Sequence, residues 1–489
     1  MSLEDPNCRL GCSHGYQTNC LTEIFFDQAL ARAAYLDHHL SQHGKTLGPL
    51  HGVPISLKDS FRIAGVDSSI GIVALALKPS TSTSPLVSML LSAGAVIYCK
   101  TNIPQTLMAL DSDNNVFGRT LNPLNRYVTA GGSSGGEGAL IAMRGSVLGI
   151  GTDIGGSIRI PAMCNGIYGI KPSAHRVPYA GQESGQLPGA SALSVQSCAG
   201  PLARSLRDCE LLLRTVAAAK TWERDPAIVP GLWNSMDQSL SSASPASNLL
   251  TIGILHTDGL ITPLPPIRDL LKEVSTTLSS AGIRIVNIPT PPAFRDIQSL
   301  ANALFGIEGG NSMFDLLESH GEPLTAWLNP RLKRKKPLSL DQGRVLHAQR
   351  ELMMTEMLSL WRLSDGSEVD ALICPVAPHP VPPIDRWNGV SYTSSWVLLD
   401  CPAGTIPVRE FAEMDLKGEV EATEPLSSWD KVNRELWDGE KIDRRVYIGT
   451  PLCVQVVAPR LQEKRLYRAM EVVDRVLRGK KGKVGEAKL

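Results

Sequence analysis

The residues able to do chemistry in this chain gather in two stretches. One is YVTAGGSSGGEGALIAMRGSVLGIGTDIGGSIRIP, residues 127–161, where Gly131-Gly132-Ser133-Ser134-Gly135-Gly136 and Gly155-Gly156-Ser157 flank a small-residue apolar run. The other is HGVPISLKD, residues 51–59, where Ser56 and Lys58 alternate with Val53, Ile55 and Leu57. Glycine that dense is costly inside a regular element; it is tolerated where backbone must approach something closely or aim several N–H groups at one point. Serines in such loops are candidate nucleophiles. Two flexible surface turns are the bland alternative. An apolar segment fit for burial between the clusters argues against it.

A serine hydroxyl needs a base within hydrogen-bond reach, and no histidine lies in or beside either cluster. Lys58 is the alternative. Most lysines are solvated, but one held among apolar neighbours loses hydration of its charged form, and its pKa falls from about 10.4. A value of about 7–8 would leave a useful neutral fraction. The second cluster meets the other need of acyl transfer, which is preorganised amides around a developing oxyanion. Ile154-Gly155-Gly156-Ser157 offers consecutive N–H groups, with Asp153 placed to brace the loop and Arg159 and Pro161 to fix the chain just beyond it. A phosphate nest would use similar geometry. No Gly-Lys-Ser/Thr comes after the loop, however, and no strand–GxGxxG–helix unit surrounds it.

These motifs need elements to carry them. Residues 51–59 read as a turn into a short strand, with Val53, Ile55 and Leu57 on one face and Ser56 and Lys58 on the other. Helical spacing covers Thr22–Leu40, through Ile24, Ala29, Ala31, Ala34 and Leu36, with His38, His39 and His43 at a solvated end. Further helices are expected over Val87–Ala93, Ser205–Lys220, Pro266–Ala281, Leu346–Leu363 and Glu463–Leu477. Strands are expected over Ala95–Cys99, Leu249–Leu255, Ile283–Ile288, Ala371–Cys374, Gly404–Val408 and Leu452–Val457. That order predicts an α/β fold throughout. Thr221–Asn248 reads as a long connection, Arg331–Lys336 as a solvated turn, and Arg409–Arg445 as a charged surface excursion.

Composition narrows the classes. A chain of 489 residues, 43% of them hydrophobic, can bury a large core, and a formal charge of zero implies no polyanion partner. The ten cysteines show no Cys-x-x-Cys spacing, which suits buried free thiols in a reducing compartment. Cys8, Cys12, His14 and Cys20 match no standard zinc spacing. The N-terminus has acidic residues and no apolar h-region, and no apolar run reaches the roughly 20 residues of a membrane helix. A cytoplasmic protein is expected. Its last residues, Ala487-Lys488-Leu489, stand close to the Ser-Lys-Leu peroxisomal address.

GGSSGGEGALIA followed by GTDIGGSIRIPA, with GVPISLKDS upstream, resembles the amidase signature hydrolases, down to the separation of Ser133 from Ser157. The similarity includes KTNIPQTL (100–107), NPLN (122–125), GIKPS (169–173), GPLARS (200–205) and the run Trp222, Asp225, Pro226, Pro230, Trp233. It continues through ALICPVAPHP and CPAGTIPV, and in detail is most like the fungal acetamidase-type branch, over roughly Gln17 to Leu477. The resemblance implies a central twisted mixed β-sheet covered by helices on both faces. It also implies a single domain over 17–477 with a catalytic core at about 49–220. Residues 1–16 would be an atypical, disordered N-terminus and residues 478–489 a flexible basic tail.

The resemblance also implies roles, residue by residue. Ser157 would be the acyl-enzyme nucleophile, and Ser133, in a cis peptide, would bridge it to Lys58 as base. The amides of Ile154, Gly155, Gly156 and Ser157 would form the oxyanion hole. Leu107, with Met108 and Leu110, would line the substrate pocket, and Ser134 would support the lysine by a hydrogen bond. The implied partner is a small-molecule amide, with no metal, cofactor, nucleic acid or membrane, and a homodimer as the assembly considered. The sequence departs from the family by lacking its N-terminal helices and by having Val397 and Cys401 where the branch has Asn and Tyr near the pocket. It also lacks the membrane segment of the fatty-acid-amide branch, which argues against membrane-delivered lipid amides. Two alternatives stand beside this reading. One is a Ser-His-Asp esterase using Ser133 in G-x-S-x-G with Asp370 and His379; the other is an amidotransferase subunit.

Overall fold

Alternation along short apolar strands builds one mixed sheet in the computed structural model of the chain, which describes residues 18–231, 233, 250–386 and 389–481. Its strands are β1 (Leu21–Ile24), β2 (Pro54–Lys58), β3 (Val96–Thr101), β4 (Leu148–Asp153), β5 (Tyr168–Lys171) and β6 (Cys198–Ala203). They continue with β7 (Thr251–Ile254), β8 (Arg284–Asn287), β9 (Ala371–Pro375), β10 (Ala403–Glu410) and β11 (Pro451–Val457). The spatial order is β1-β3-β2-β4-β6-β5-β10-β11-β9-β7-β8. Pairing is parallel within β3-β2-β4 and β9-β7-β8, and antiparallel from β4 through β6, β5, β10 and β11 to β9. β1 adds an antiparallel edge on β3.

Period-two alternation divides the strands between two faces. Ile55 and Leu57 of β2, Ile97 of β3, Leu148 and Ile150 of β4 and Ile373 of β9 enter one large core. Helices Pro85–Ser92, Leu206–Ala218, Pro265–Ser280 and Glu463–Lys481 close that core with residues such as Leu90, Leu212, Leu270 and Leu466. Ser205 caps one of them, accepting the Asp208 N–H at 3.1 Å.

On the other face Val96 and Tyr98 pack against helix α1 (Phe26–His43) and helix α2 (Gly135–Ala142), through Ala29, Leu36, Ala139 and Leu140. Leu372 and Cys374 of β9 meet Trp396 and Val397 of the helix Ser391–Leu398. Ser56 and Lys58 turn toward this second face, as the alternation of β2 requires. The chemistry is built here. The fold is therefore α/β, a mixed sheet with helices on both faces.

Two expectations need correction. Thr22–Leu40 is not one helix: Leu21–Ile24 pairs with β3 and the helix starts at Phe26, because an available sheet edge overrides local helical spacing. Arg409–Arg445 is no mere surface excursion. Phe411 and Trp437 are buried with Tyr447, ring centroids 5.7–6.3 Å apart, while Arg409 pairs with Asp415 and Glu273. Arg331–Lys336 is exposed as expected, with Arg334 pairing at the surface with Asp315 and Glu318. The described cysteines are free and buried. The readings for residues 1–16, for Cys8, Cys12 and His14, and for Ala487-Lys488-Leu489 lie outside the described residues, as does much of Thr221–Asn248.

Candidate active site

Lys58 closes β2 with its side chain fully buried. Its Nζ donates to Ser133 Oγ at 2.7 Å and to Thr152 Oγ1 at 2.6 Å. Burial drives its pKa down to about 7, against the opposing pull of Asp153, Glu137 and Asp59. Loss of hydration outweighs the three carboxyl groups. An amine poised there is partly neutral near pH 7 and can accept a proton.

Ser133 sits in the turn that enters α2, after a cis Gly132–Ser133 peptide. This turn lies hard against the neighbouring chain: a Cβ on Gly132 would stand 2.5 Å from the Ala109 carbonyl oxygen. Ser134 holds the two serine loops together, its N–H donating to the Ser157 carbonyl at 3.2 Å. Its hydroxyl faces the Thr152 backbone N–H and C=O, each at 3.4 Å. The second hydrogen bond of Lys58 thus goes to Thr152 Oγ1, and Ser134 reaches the lysine only through that residue. Thr152→Val is expected to lower kcat/KM about tenfold, the worth of one hydrogen bond to a charged group. Steady-state kinetics beside an unchanged melting curve would check it.

The second glycine loop leaves β4 at Asp153, and Asp153 organises it. Its Oδ1 accepts from Gly156 N–H at 2.8 Å and its Oδ2 from Ile158 N–H at 3.1 Å. Arg159 donates to both oxygens, from Nε at 3.0 Å and Nη2 at 2.9 Å, and its Nη1 reaches Gln455 Oε1 at 2.6 Å. Both members of the ion pair are wholly buried. Burial opposes ionisation of Asp153, yet Arg159, with Lys171 and the Ile158 amide, holds its carboxyl below the usual range. Removing one partner of such a pair strands a buried charge. Arg159→Leu is therefore expected to cost about 3–5 kcal/mol of stability, read by denaturant unfolding.

This bracing leaves the four amides of the loop in different states. The Gly156 N–H is committed to Asp153, whereas the amides of Ile154, Gly155 and Ser157 meet no protein acceptor among the described residues. Ile154 and Gly155 are only half-buried, and Ser157 is 6% exposed. Gly156 has a φ of 132°, and a Cβ there would fall 2.3 Å from Thr393 Oγ1. That same hydroxyl donates to the Gly155 carbonyl at 2.6 Å, which fixes the loop from the other side.

Leu107 has a left-handed φ of 64° and packs with Ile70, Ile72, Met313 and Leu317. Met108 is exposed, and Leu110 joins Ile160 and Met163, the former just past the second glycine loop. Val397 and Cys401 lie in the hydrophobic cluster of Phe294, Ile297 and Trp396. The alternative triad is not assembled. Both ring nitrogens of His379 face backbone partners, the Pro380 carbonyl at 2.7 Å and the Gly389 N–H at 2.7 Å, while Asp370 accepts from Thr251 N–H. Sequence reasoning missed Thr152, Glu137, Thr393 and Gln455. Gln455 carried a signal, as a lone polar residue in the apolar strand LCVQVV.

The structure thus sets a buried amine against one serine and a second serine on a braced glycine loop, with a mixed sheet behind them. Residues 13–467 match the family model described as "Amidase", and the chain belongs to that family of amide hydrolases. It is 35% identical over 468 residues to an acetamidase of Emericella nidulans, covering 94% of this chain and 83% of that one. It is 35% identical over 460 residues to a putative amidase of Schizosaccharomyces pombe, covering 93% and 82%. Among solved structures it superposes on a fatty acid amide hydrolase with a TM-score of 0.85 and 31% identity, covering 96% of this chain and 80% of that one. Among the described residues no helix is long and apolar enough to cross a membrane.

Proposed function

We propose that this chain hydrolyses a small carboxamide to a carboxylate and ammonia or an amine, through an acyl-enzyme on Ser157 served by Ser133 and Lys58. The observation that carries this reading is the 2.7 Å contact of the buried Lys58 amine with Ser133, in the loop tied to that of Ser157. Ser157 Oγ attacks the amide carbon while its proton passes through Ser133 to Lys58. The oxyanion so formed is met by the amides of Ile154, Gly155 and Ser157. As the C–N bond breaks, the proton returns by the same relay to the leaving nitrogen. Water then attacks the ester, loses its proton to the relay, and the carboxylate leaves with Ser157 reprotonated.

The fungal relatives named acetamidase support a short amide as substrate. Aryl or indole acetamides and a secondary-metabolite intermediate are further candidates. A panel of such amides, read by ammonia release from the purified chain, tests the proposal. Turnover of at least one by the chain alone is expected, and it would also set aside an amidotransferase subunit. A folded chain that releases ammonia from none would contradict it. For localisation we propose a cytoplasmic protein, with Ala487-Lys488-Leu489 as a candidate peroxisomal address. Unchanged distribution of a tagged protein after deletion of these residues would reject that address.

A further inference from the structure

One fully buried carboxyl beside the site has no place in the proposed mechanism. Glu137 stands in the first turn of α2, four residues after Ser133, and no part of it is exposed. Its Oε2 accepts from Ser56 Oγ at 2.6 Å and its Oε1 from Thr101 Oγ1 at 2.9 Å. Both donors are neighbours of Lys58: Ser56 shares its face of β2, and Thr101 is its register partner on β3. Gly149, the partner of Ser56 on β4, makes room for the carboxyl, since a Cβ there would fall 1.9 Å from Oε2. The side chain thus spans from the helix after Ser133 to the three strands surrounding Lys58.

Its charge environment is equally specific. Asp59 faces Lys100 at 3.7 Å and Asp153 faces Arg159, so the other two carboxyl groups acting on Lys58 have cations of their own. Glu137 has two hydroxyls and, as the cation bearing on it, Lys58. The Cys20 thiol also lies near it, and burial pushes that thiol up to about 12, so it stays neutral. Burial likewise pushes the Glu137 carboxyl up, opposed by Ser56, Thr101 and Lys58.

We propose that Glu137 is a positioning residue for the Lys58 amine, fixing the Ser133 turn to strand β2 and competing with Lys58 for a single proton. The proposal rests on Lys58 being the base. With one proton between them, the pair exists either as neutral amine and carboxylic acid or as ammonium and carboxylate, and the second form withholds the base. In this proposal the two groups titrate together, and the acid limb of activity reports both.

The test uses the full chain and the rate at which a fluorophosphonate labels Ser157 as a function of pH. In that reaction the Ser157 Oγ–P bond forms, fluoride leaves, and the hydroxyl proton passes to the base. Glu137→Gln keeps the shape, and either hydroxyl can turn to accept from the amide. It removes the competing carboxylate, so the acid limb is expected to move down by about half to one pH unit. Ser56→Ala, which takes a hydrogen bond from the carboxylate, is expected to move it the same way by less; it serves if Glu137→Gln does not fold. An unchanged limb in folded variants would reduce Glu137 to a structural bolt and overturn the proposal. The reading it rests on fails separately, if Lys58→Ala labels as fast as wild type at neutral pH.

Discussion

Ser157→Ala is expected to lower amide turnover by about four to six orders of magnitude while the protein keeps its fold. The loss should be large because no other step can substitute for a missing covalent acceptor: the oxyanion amides alone leave only weak residual catalysis. The fold should survive because the loop does not depend on this hydroxyl. It is held by Asp153 through Gly156 and Ile158, by the Ser134 amide on the Ser157 carbonyl, and by Thr393 on Gly155. Activity with the best amide of the panel, measured beside circular dichroism and a melting curve, gives the result. Comparable turnover in the variant would show that another group attacks.

Lys58→Ala is expected to reduce kcat/KM by about 10²- to 10⁴-fold at neutral pH, the usual worth of a positioned general base. The deficit should narrow as pH rises and hydroxide takes over. In the wild type the rate should climb through about pH 7, because burial has brought the amine to about 7 and its neutral form serves as base above that value. The variant should lack that limb. Removing a buried amine also empties a polar slot between Ser133 and Thr152, so a melting curve is needed with the kinetics. Wild-type kcat at pH 7 in a folded Lys58→Ala protein would end the lysine mechanism.

The parts of this molecule legible in its sequence are those governed by local periodicity and by motif. Alternation placed Ser56 and Lys58 opposite Ile55 and Leu57, and the structure has them so. The strands at Ala371, Gly404 and Leu452 lie where β-branched and small apolar residues predict them. The illegible parts depend on partners distant in the chain. That Thr152 and not Ser134 meets the amine is decided by the parallel register of β4 beside β2, which brings together residues 94 positions apart. That Gly156 spends its N–H on Asp153 is a matter of loop geometry no composition reveals. Glu137 was in plain view within GGSSGGEGALIA, but its meaning comes from Ser56, Thr101 and Gly149, three residues on three strands. Leu21–Ile24 became a strand only because β3 offers it an edge.

The serine that fits the familiar elbow pattern, Ser133, is the one touching the lysine, and the serine beside the free amides is Ser157. Peptide mass spectrometry after labelling with an activated fluorophosphonate separates these roles in one experiment. A phosphonate adduct on Ser157, and its absence from a Ser157→Ala protein, is the expected result. An adduct on Ser133 with Ser157 unmodified would contradict the assignment.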